Sequence, residues 1–167
     1  ALMDIGKLHG GNFQIAPAPI RLSQFRARID TEIASLCKEK ALSWLLDIDD
    51  AVISSDEELL LRLIRNLLHN AVRYTENGEV RCRAKIAGRV VKFEISDTGC
   101  GIAAEHHADV FKEFVRLDHQ GSHSNGAGLG LSIVDKINRA LDLGLQMESS
   151  PDQGTTFRFS VPTIAQA

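Results

Sequence analysis

Asp97-Thr98-Gly99-Cys100-Gly101-Ile102 and Gly126-Ala127-Gly128-Leu129-Gly130-Leu131 decide how this chain is to be read. The first directly follows an alternating, strand-like run, Val91-Lys92-Phe93-Glu94-Ile95-Ser96, and the second runs straight into an apolar helical pattern. Glycine lets a backbone turn with positive φ and lets another group approach closely, because no Cβ stands in the way. A glycine loop placed just before a helix points free N–H groups at an anion, with the helix dipole assisting. Two such loops joined by a polar segment point to a nucleotide held between them.

The bulk properties leave room for this reading and exclude others. A chain of 167 residues suits one domain with a proper core. Its 44% hydrophobic and 25% charged residues are ordinary for a globular protein. A net charge of −3 gives no electrostatic case for nucleic acid or an anionic membrane as partner. Cys37, Cys82 and Cys100 are odd in number and scattered, which fits reduced thiols in a cytoplasmic setting better than disulfides or a zinc site. No apolar run approaches the roughly 18 residues of a membrane span, and Ala1 begins no signal-peptide pattern. The chain starts without Met, as a fragment of a longer protein would, and a cytoplasmic location is expected, with a membrane anchor left open for the full-length protein.

Taken in order, Ala1–Leu8 has near-helical apolar spacing stopped by Gly10-Gly11. Asn12–Leu22, with Pro17 and Pro19, is expected to be extended and to form an edge strand. Ser23–Ala41 returns to a helical period, and Ser43–Ile48 is a candidate buried strand. Ser55-Asp56-Glu57-Glu58 has the form of a capping box, which predicts a helix from Ser55 to Tyr74 with Leu60, Leu63, Ile64, Leu67, Leu68 and Ala71 inward. Glu79–Ile86 and Arg89–Asp97 alternate on either side of Ala87-Gly88 and predict a hairpin. Ala103–Phe114 is predicted as a short helix, Val115–Asn125 as a mobile polar segment, and Leu129–Leu141 as a helix. Leu145–Ser149 and Thr155–Val161 are strands around a Pro151–Gly154 turn. Mixed helices and adjacent hairpins favour an α+β fold over a doubly wound one.

Several residue sets invite chemistry, each with a plainer alternative. Asn66 and Asn70 stand four apart on one helix face, with Arg73 on the same polar strip. Asparagine is a poor helix former, so the pair invites a role such as an amide oxygen on a hard cation like Mg²⁺, although solvated amides would account for them too. Asp97 at the end of a strand can accept from an exocyclic amine, or simply initiate a turn before Gly99. Gly126, Gly128 and Gly130 lack the strand and spacing of a dinucleotide fingerprint, and no Gly-Lys-Ser/Thr of a P-loop follows. His119 and His123 lie in a Gly/Ser-rich stretch with no third metal ligand in view, so solvated loop histidines are the better reading. Phe111 and Phe114 are most simply core residues.

In combination the sets become specific. Asn-x3-Asn-x2-Arg-Tyr, Asp-x-Gly-x-Gly, Phe-x2-Phe, Gly-x-Gly-x-Gly-Leu and Gly-Thr-Thr-Phe occur in that order. This succession resembles the catalytic, ATP-binding domain of bacterial sensor histidine kinases, within the wider family of gyrase, Hsp90 and MutL. The resemblance covers roughly Asn12 to Pro162. It implies a two-layer α/β sandwich, the Bergerat-type ATP-binding fold, with a mixed sheet of about five strands covered on one face by helices. It divides the chain into the end of a dimerisation helix at 1–9, where Leu2-Met3-Asp4-Ile5-Gly6-Lys7-Leu8 resembles the family's second dimerisation helix, and a catalytic domain at 10–167.

The resemblance also implies roles. Asn70 is the Mg²⁺-ligating asparagine, with Asn66 as a second polar contact. Arg73 lies by the phosphates and Tyr74 packs by the nucleotide. Asp97 reads the adenine amine, Gly99 and Gly101 let the base approach, and Ile102 and Thr155 belong to the same pocket. Phe111 and Phe114 match the family's F box, and Arg116 is the basic residue at the start of an ATP lid over 115–125. Gly126, Gly128, Leu129, Gly130 and Leu131 form the hinge and the phosphate-binding helix start. Asp152 departs from the pattern, since the family often has glycine there. The ATPase branch places a Glu, as base for water, where this chain has Asn66; phosphoryl transfer to a protein histidine is therefore favoured over hydrolysis. No acceptor-histidine motif occurs, so that histidine is expected on a separate dimerisation domain, in a homodimer that serves a response regulator receiver domain. The alternatives are an anti-sigma-type serine kinase and a docking module that kept the fold and lost the chemistry.

Overall fold

The computed structural model describes residues 13–112 and 130–164. In chain order the elements are β1 (Ala18–Arg21), α1 (Leu22–Glu39), β2 (Ser43–Ile48), β3 (Val52–Ser55), α2 (Glu57–Tyr74), β4 (Glu79–Ala87), β5 (Val90–Asp97), α3 (Gly130–Leu141), β6 (Gln146–Ser149) and β7 (Thr155–Pro162).

The apolar period of α2 does what it predicts: Leu60, Leu63, Ile64, Leu67, Leu68 and Ala71 are buried. Its start differs by one residue. Asp56, not Ser55, is the N-cap, and its Oδ1 accepts from the Leu59 N–H at 3.0 Å. Ser55 is held in the β1–β3 ladder opposite Ala18, and a residue so paired does not also turn the chain into a helix. The second Asp56 oxygen accepts from the Ala16 N–H at 3.0 Å, which ties the incoming segment to the helix start. At the other end Lys40 Nζ donates to the carbonyls of Val72 and Arg73 at 2.7 and 3.2 Å, satisfying acceptors that a last helical turn leaves open.

Five strands form the main sheet in the order β2-β4-β5-β7-β6. β2 and β4 run parallel, joined by the crossover through β3 and α2 that a parallel pair requires. The other neighbours are antiparallel. Alternation along β4, β5 and β7 buries Cys82, Ala84, Phe93, Ile95, Phe157 and Phe159 on one face, in a single cluster with the apolar faces of all three helices. Phe93 and Phe159 face each other across the β5–β7 ladder with rings stacked 4.9 Å apart. The opposite face is wet and charged: Arg158 pairs with Glu94 and Glu148 at 3.1 and 2.9 Å, and Lys85 with Asp47 at 2.6 Å. This is the α+β sandwich expected.

Four local expectations change. β2 is an edge strand with Ser43, Leu45 and Asp47 exposed, so it is not the buried strand predicted. β3 was not anticipated, and β1 pairs with it in a two-stranded sheet of its own. The hairpin turn falls at Gly88-Arg89, with Gly88 at φ 64°. A helix was predicted over Ala103–Phe114; its described part, 103–112, holds two 3₁₀ turns, Ala104–His106 and Asp109–Phe111. Val110 alone of those six residues is buried, too little apolar contact to support a costly helix nucleus.

Candidate functional site

The loop after β5 is fixed from three sides. The Cys100 N–H donates to the Tyr74 carbonyl at the end of α2 at 3.2 Å, and the Cys100 carbonyl accepts from Asp152 N–H at 2.7 Å. The Ile102 N–H donates to Ser149 Oγ at 2.8 Å, and His107 Nε2–H donates to the Ile102 carbonyl at 2.9 Å. Glycine is required here by the protein's own packing. A Cβ on Gly99 would collide with the Tyr74 carbonyl, and one on Gly101, at φ 68°, with the Ser150 carbonyl. The Cβ side of these two positions is thus occupied by the chain itself.

Between this loop, α2, the start of α3 and the ends of β5 and β7 lies a pocket of about 600 Å³, measured out to solvent. It brings together Asn70, Tyr74, Asp97, Gly101, Ile102, Leu131 and Thr155, all named from the sequence. Ala71, Cys100, Val110 and Phe157 also line it and were given no site role from the sequence. Two of these were reachable: Ala71 adjoins Asn70, and Phe157 shares the strand face of Thr155 two residues on. Phe111 stands behind the wall, its ring edge-on to Phe157 at 6.4 Å.

Asn66 and Asn70 lie against the first residue of α3. A Cβ built on Gly130 would be 3.7 and 3.8 Å from the amide nitrogen and oxygen of Asn70, and 4.0 Å from Asn66 Oδ1. Two neutral amide oxygens therefore stand beside a helix start, whose free N–H groups favour an anion. This donor set suits a hard cation that completes its shell with phosphate and water oxygens, and offers no carboxylate for a metal held by protein alone. Among the described residues no group of three His, Cys, Asp or Glu side chains is placed to hold a metal. Arg73, on the last turn of α2, is exposed and does not line the pocket.

Asp97 is the charged group of the pocket wall. Burial pushes its carboxyl up to about 6, while backbone hydrogen bonds to Gly99 and Thr155 pull the other way. The Gly99 N–H donates to Asp97 Oδ1 at 2.9 Å. Burial also raises the Cys100 thiol. Asp97 stands directly opposite Thr155 on β7, and Thr155 directly opposite Ser149 on β6. In the turn between β6 and β7, Asp152 adopts φ 61°. Aspartate tolerates this left-handed conformation better than most residues.

Phe114, Arg116, the 115–125 lid, Gly126, Gly128 and Leu129 lie outside the described residues, as do residues 1–9, His119 and His123.

Residues 55–165 match the family described as histidine kinase-, DNA gyrase B-, and HSP90-like ATPase. The autoinducer 2 sensor kinase/phosphatase LuxQ of Vibrio parahaemolyticus is 30% identical over 96% of this chain. The chain spans 20% of that relative's length. Among solved structures, full-length ShkA in complex with AMPPNP superposes with a TM-score of 0.84 at 27% identity, over 99% of this chain and 35% of that one. The catalytic domain of histidine kinase ThkA, in a nucleotide-free form, has the same fold, with a TM-score of 0.73 at 22% identity over 89% of this chain and 98% of its own.

Proposed function

The chain belongs to the family of histidine kinase-, DNA gyrase B- and HSP90-like ATPases, and on that footing we propose that it is the ATP-binding catalytic domain of a two-component sensor histidine kinase. One observation carries this reading: an apolar pocket with a half-buried carboxylate, Asp97, that also reaches Asn70, whose amide lies against the start of α3. The base of ATP enters the apolar part, its exocyclic amine donating to Asp97 with Thr155 beside it. Tyr74, Ile102 and Leu131 supply the walls. The triphosphate runs to the start of α3 at Gly130, where the helix dipole and free N–H groups favour its charge.

Asn70 Oδ1 is the protein's ligand for Mg²⁺, and Asn66 is a second polar contact on the same face. When bound, the ion supplies charge neutralisation on the phosphates. Arg73 and Arg116 are assigned to the phosphates as cations, and Gly126, Gly128 and Leu129 to the hinge of the 115–125 lid. An amide at Asn66 accepts no proton, so water is left without a base at that position. The γ-phosphoryl group then passes to an imidazole nitrogen and ADP leaves.

The acceptor histidine belongs to a dimerisation domain that residues 1–9 adjoin, and the phosphoryl group goes on to a receiver domain. The working protein is a homodimer, acting where Cys37, Cys82 and Cys100 stay reduced, in the cytoplasm.

The test is a calorimetric titration of the chain with a non-hydrolysable ATP analogue, with Mg²⁺ and with chelator. Saturable binding strengthened by Mg²⁺ is the expected outcome. A folded chain that releases no heat with the analogue at millimolar concentration would overturn the reading and leave a docking module in its place.

A further inference from the structure

Ser149, at the end of the edge strand β6, was singled out by no motif. Its hydroxyl oxygen nonetheless meets three polar groups, two of them on the pocket-lining residues Ile102 and Thr155. It accepts from the Ile102 N–H at 2.8 Å, lies 3.0 Å from the Gly154 carbonyl, and lies 2.8 Å from Thr155 Oγ1. A serine hydroxyl has one hydrogen and two lone pairs. The Ile102 N–H takes one lone pair. The Gly154 carbonyl can only accept, so it takes the hydrogen. One lone pair is left for Thr155, which must then be the donor. No other assignment makes hydrogen bonds of all three approaches.

We propose that Ser149 is a positioning residue for base selectivity: by accepting the Thr155 hydroxyl hydrogen, it leaves Thr155 Oγ1 nothing but acceptor capacity toward the pocket. Thr155 lines that pocket beside Asp97, its cross-strand neighbour. Side by side, the hydroxyl oxygen and the carboxylate present acceptors alone. A 6-aminopurine meets them with an N–H donor. A 6-oxopurine would set its carbonyl oxygen against oxygens that have no hydrogen to give, and a buried acceptor left unpaired is costly. A Thr155 hydroxyl free to rotate would remove that penalty by turning its hydrogen to the carbonyl. Selectivity therefore depends on a serine that touches no part of the base. The inference rests on the adenine reading of the pocket proposed above.

The experiment compares the imido analogues of ATP and of inosine triphosphate by calorimetry. The unaltered chain, Ser149→Ala, Ser149→Thr, Thr155→Val and the double variant Ser149→Ala/Thr155→Val are titrated with each. Ser149→Ala is expected to narrow the preference for the adenine analogue by roughly tenfold. Ser149→Thr, which keeps the hydroxyl, should restore the preference. In the Thr155→Val background Ser149→Ala should leave the ratio unchanged, because no hydroxyl remains to be oriented. A structural role for Ser149 would lower both affinities in proportion, through the lost Ile102 partner, and leave the ratio intact. That result would overturn this inference and leave the nucleotide assignment standing. Absence of binding to the unaltered chain would overturn both, and is distinguishable because it precedes any substitution.

Discussion

Gly154 is pressed against Asp97 so closely that a Cβ added to it would lie inside the contact shell of the Asp97 carbonyl oxygen. The same glycine sits at φ 77°, a conformation side chains rarely adopt. The position of the pocket carboxylate thus depends on the absence of one carbon atom on a neighbouring turn.

Alanine substitution separates the two costs. Gly88 has a similar φ of 64° but nothing within 4 Å of an added Cβ, so Gly88→Ala carries the backbone term alone, about 1 kcal/mol. Gly154→Ala adds a collision with backbone that cannot move aside, and is expected to cost at least about 3 kcal/mol. Urea midpoints of the two variants give the comparison. Equal losses would mean that the Asp97 contact carries no energy.

Asp97 should weaken the fold that holds it. Burial raises its carboxyl from an ordinary 3.8 to about 6, so between these values the folded chain keeps a proton that the unfolded chain has released. Stability therefore falls as pH rises from about 4 to about 6, and the penalty persists above that range. Asp97→Asn keeps an acceptor for the Gly99 N–H and carries no charge. It is expected to be more stable than the unaltered chain at pH 8, by as much as about 3 kcal/mol, and equally stable at pH 4. The same variant should bind the ATP analogue more weakly. Melting temperatures that differ equally at both pH values would rule out ionisation as the cause.

Where one period or one cap decided the local structure, the residues could be read directly. The α2 stripe and the β4–β5 hairpin follow from helical and strand spacing, whereas the convergence of Asn70, Asp97, Gly101 and Thr155 was implied by the family resemblance alone. What could not be read depends on contacts distant in sequence. Ser55 loses the helix cap to Asp56 because β1, some 35 residues earlier, claims it for a ladder. The segment over Ala103–Phe111 has helix-compatible residues but only Val110 to bury. At Gly99 and Gly101 the need for glycine also comes from the protein's own packing, because an added Cβ would meet Tyr74 and Ser150. Ser149 was invisible because its partners are set by the β6–β7 register and by the loop at Ile102.

Asp152 is the counterpart to these glycines. It occupies a left-handed φ of 61° where the resembled family often has glycine, and its N–H donates to the Cys100 carbonyl at 2.7 Å. Asp152→Gly should relieve the conformational cost while adding freedom to the unfolded chain, so the net gain is small, at most about 1 kcal/mol. The backbone bond to Cys100 survives the substitution, so affinity for the ATP analogue should stay within about twofold, a change of less than about 0.5 kcal/mol. A large loss of affinity would mean that the carboxylate itself takes part in the site.

The two asparagines of α2 are expected to behave differently although they stand on one face. Both oxygens lie near the Gly130 position, at 3.8 and 4.0 Å from an added Cβ, but Asn70 also lines the pocket and Asn66 does not. If Asn70 ligates Mg²⁺, Asn70→Ala removes the protein's oxygen from the ion and binding of the ATP analogue should lose its Mg²⁺ dependence. Asn66→Ala removes a polar contact of about 1 kcal/mol, so affinity should fall by less than about tenfold and the Mg²⁺ dependence should remain. Titrations of both variants with the ion and with chelator decide the matter. Equal Mg²⁺ responses in the two variants would mean that the amides share the ion, or that neither holds it, and the assignment to Asn70 would fall.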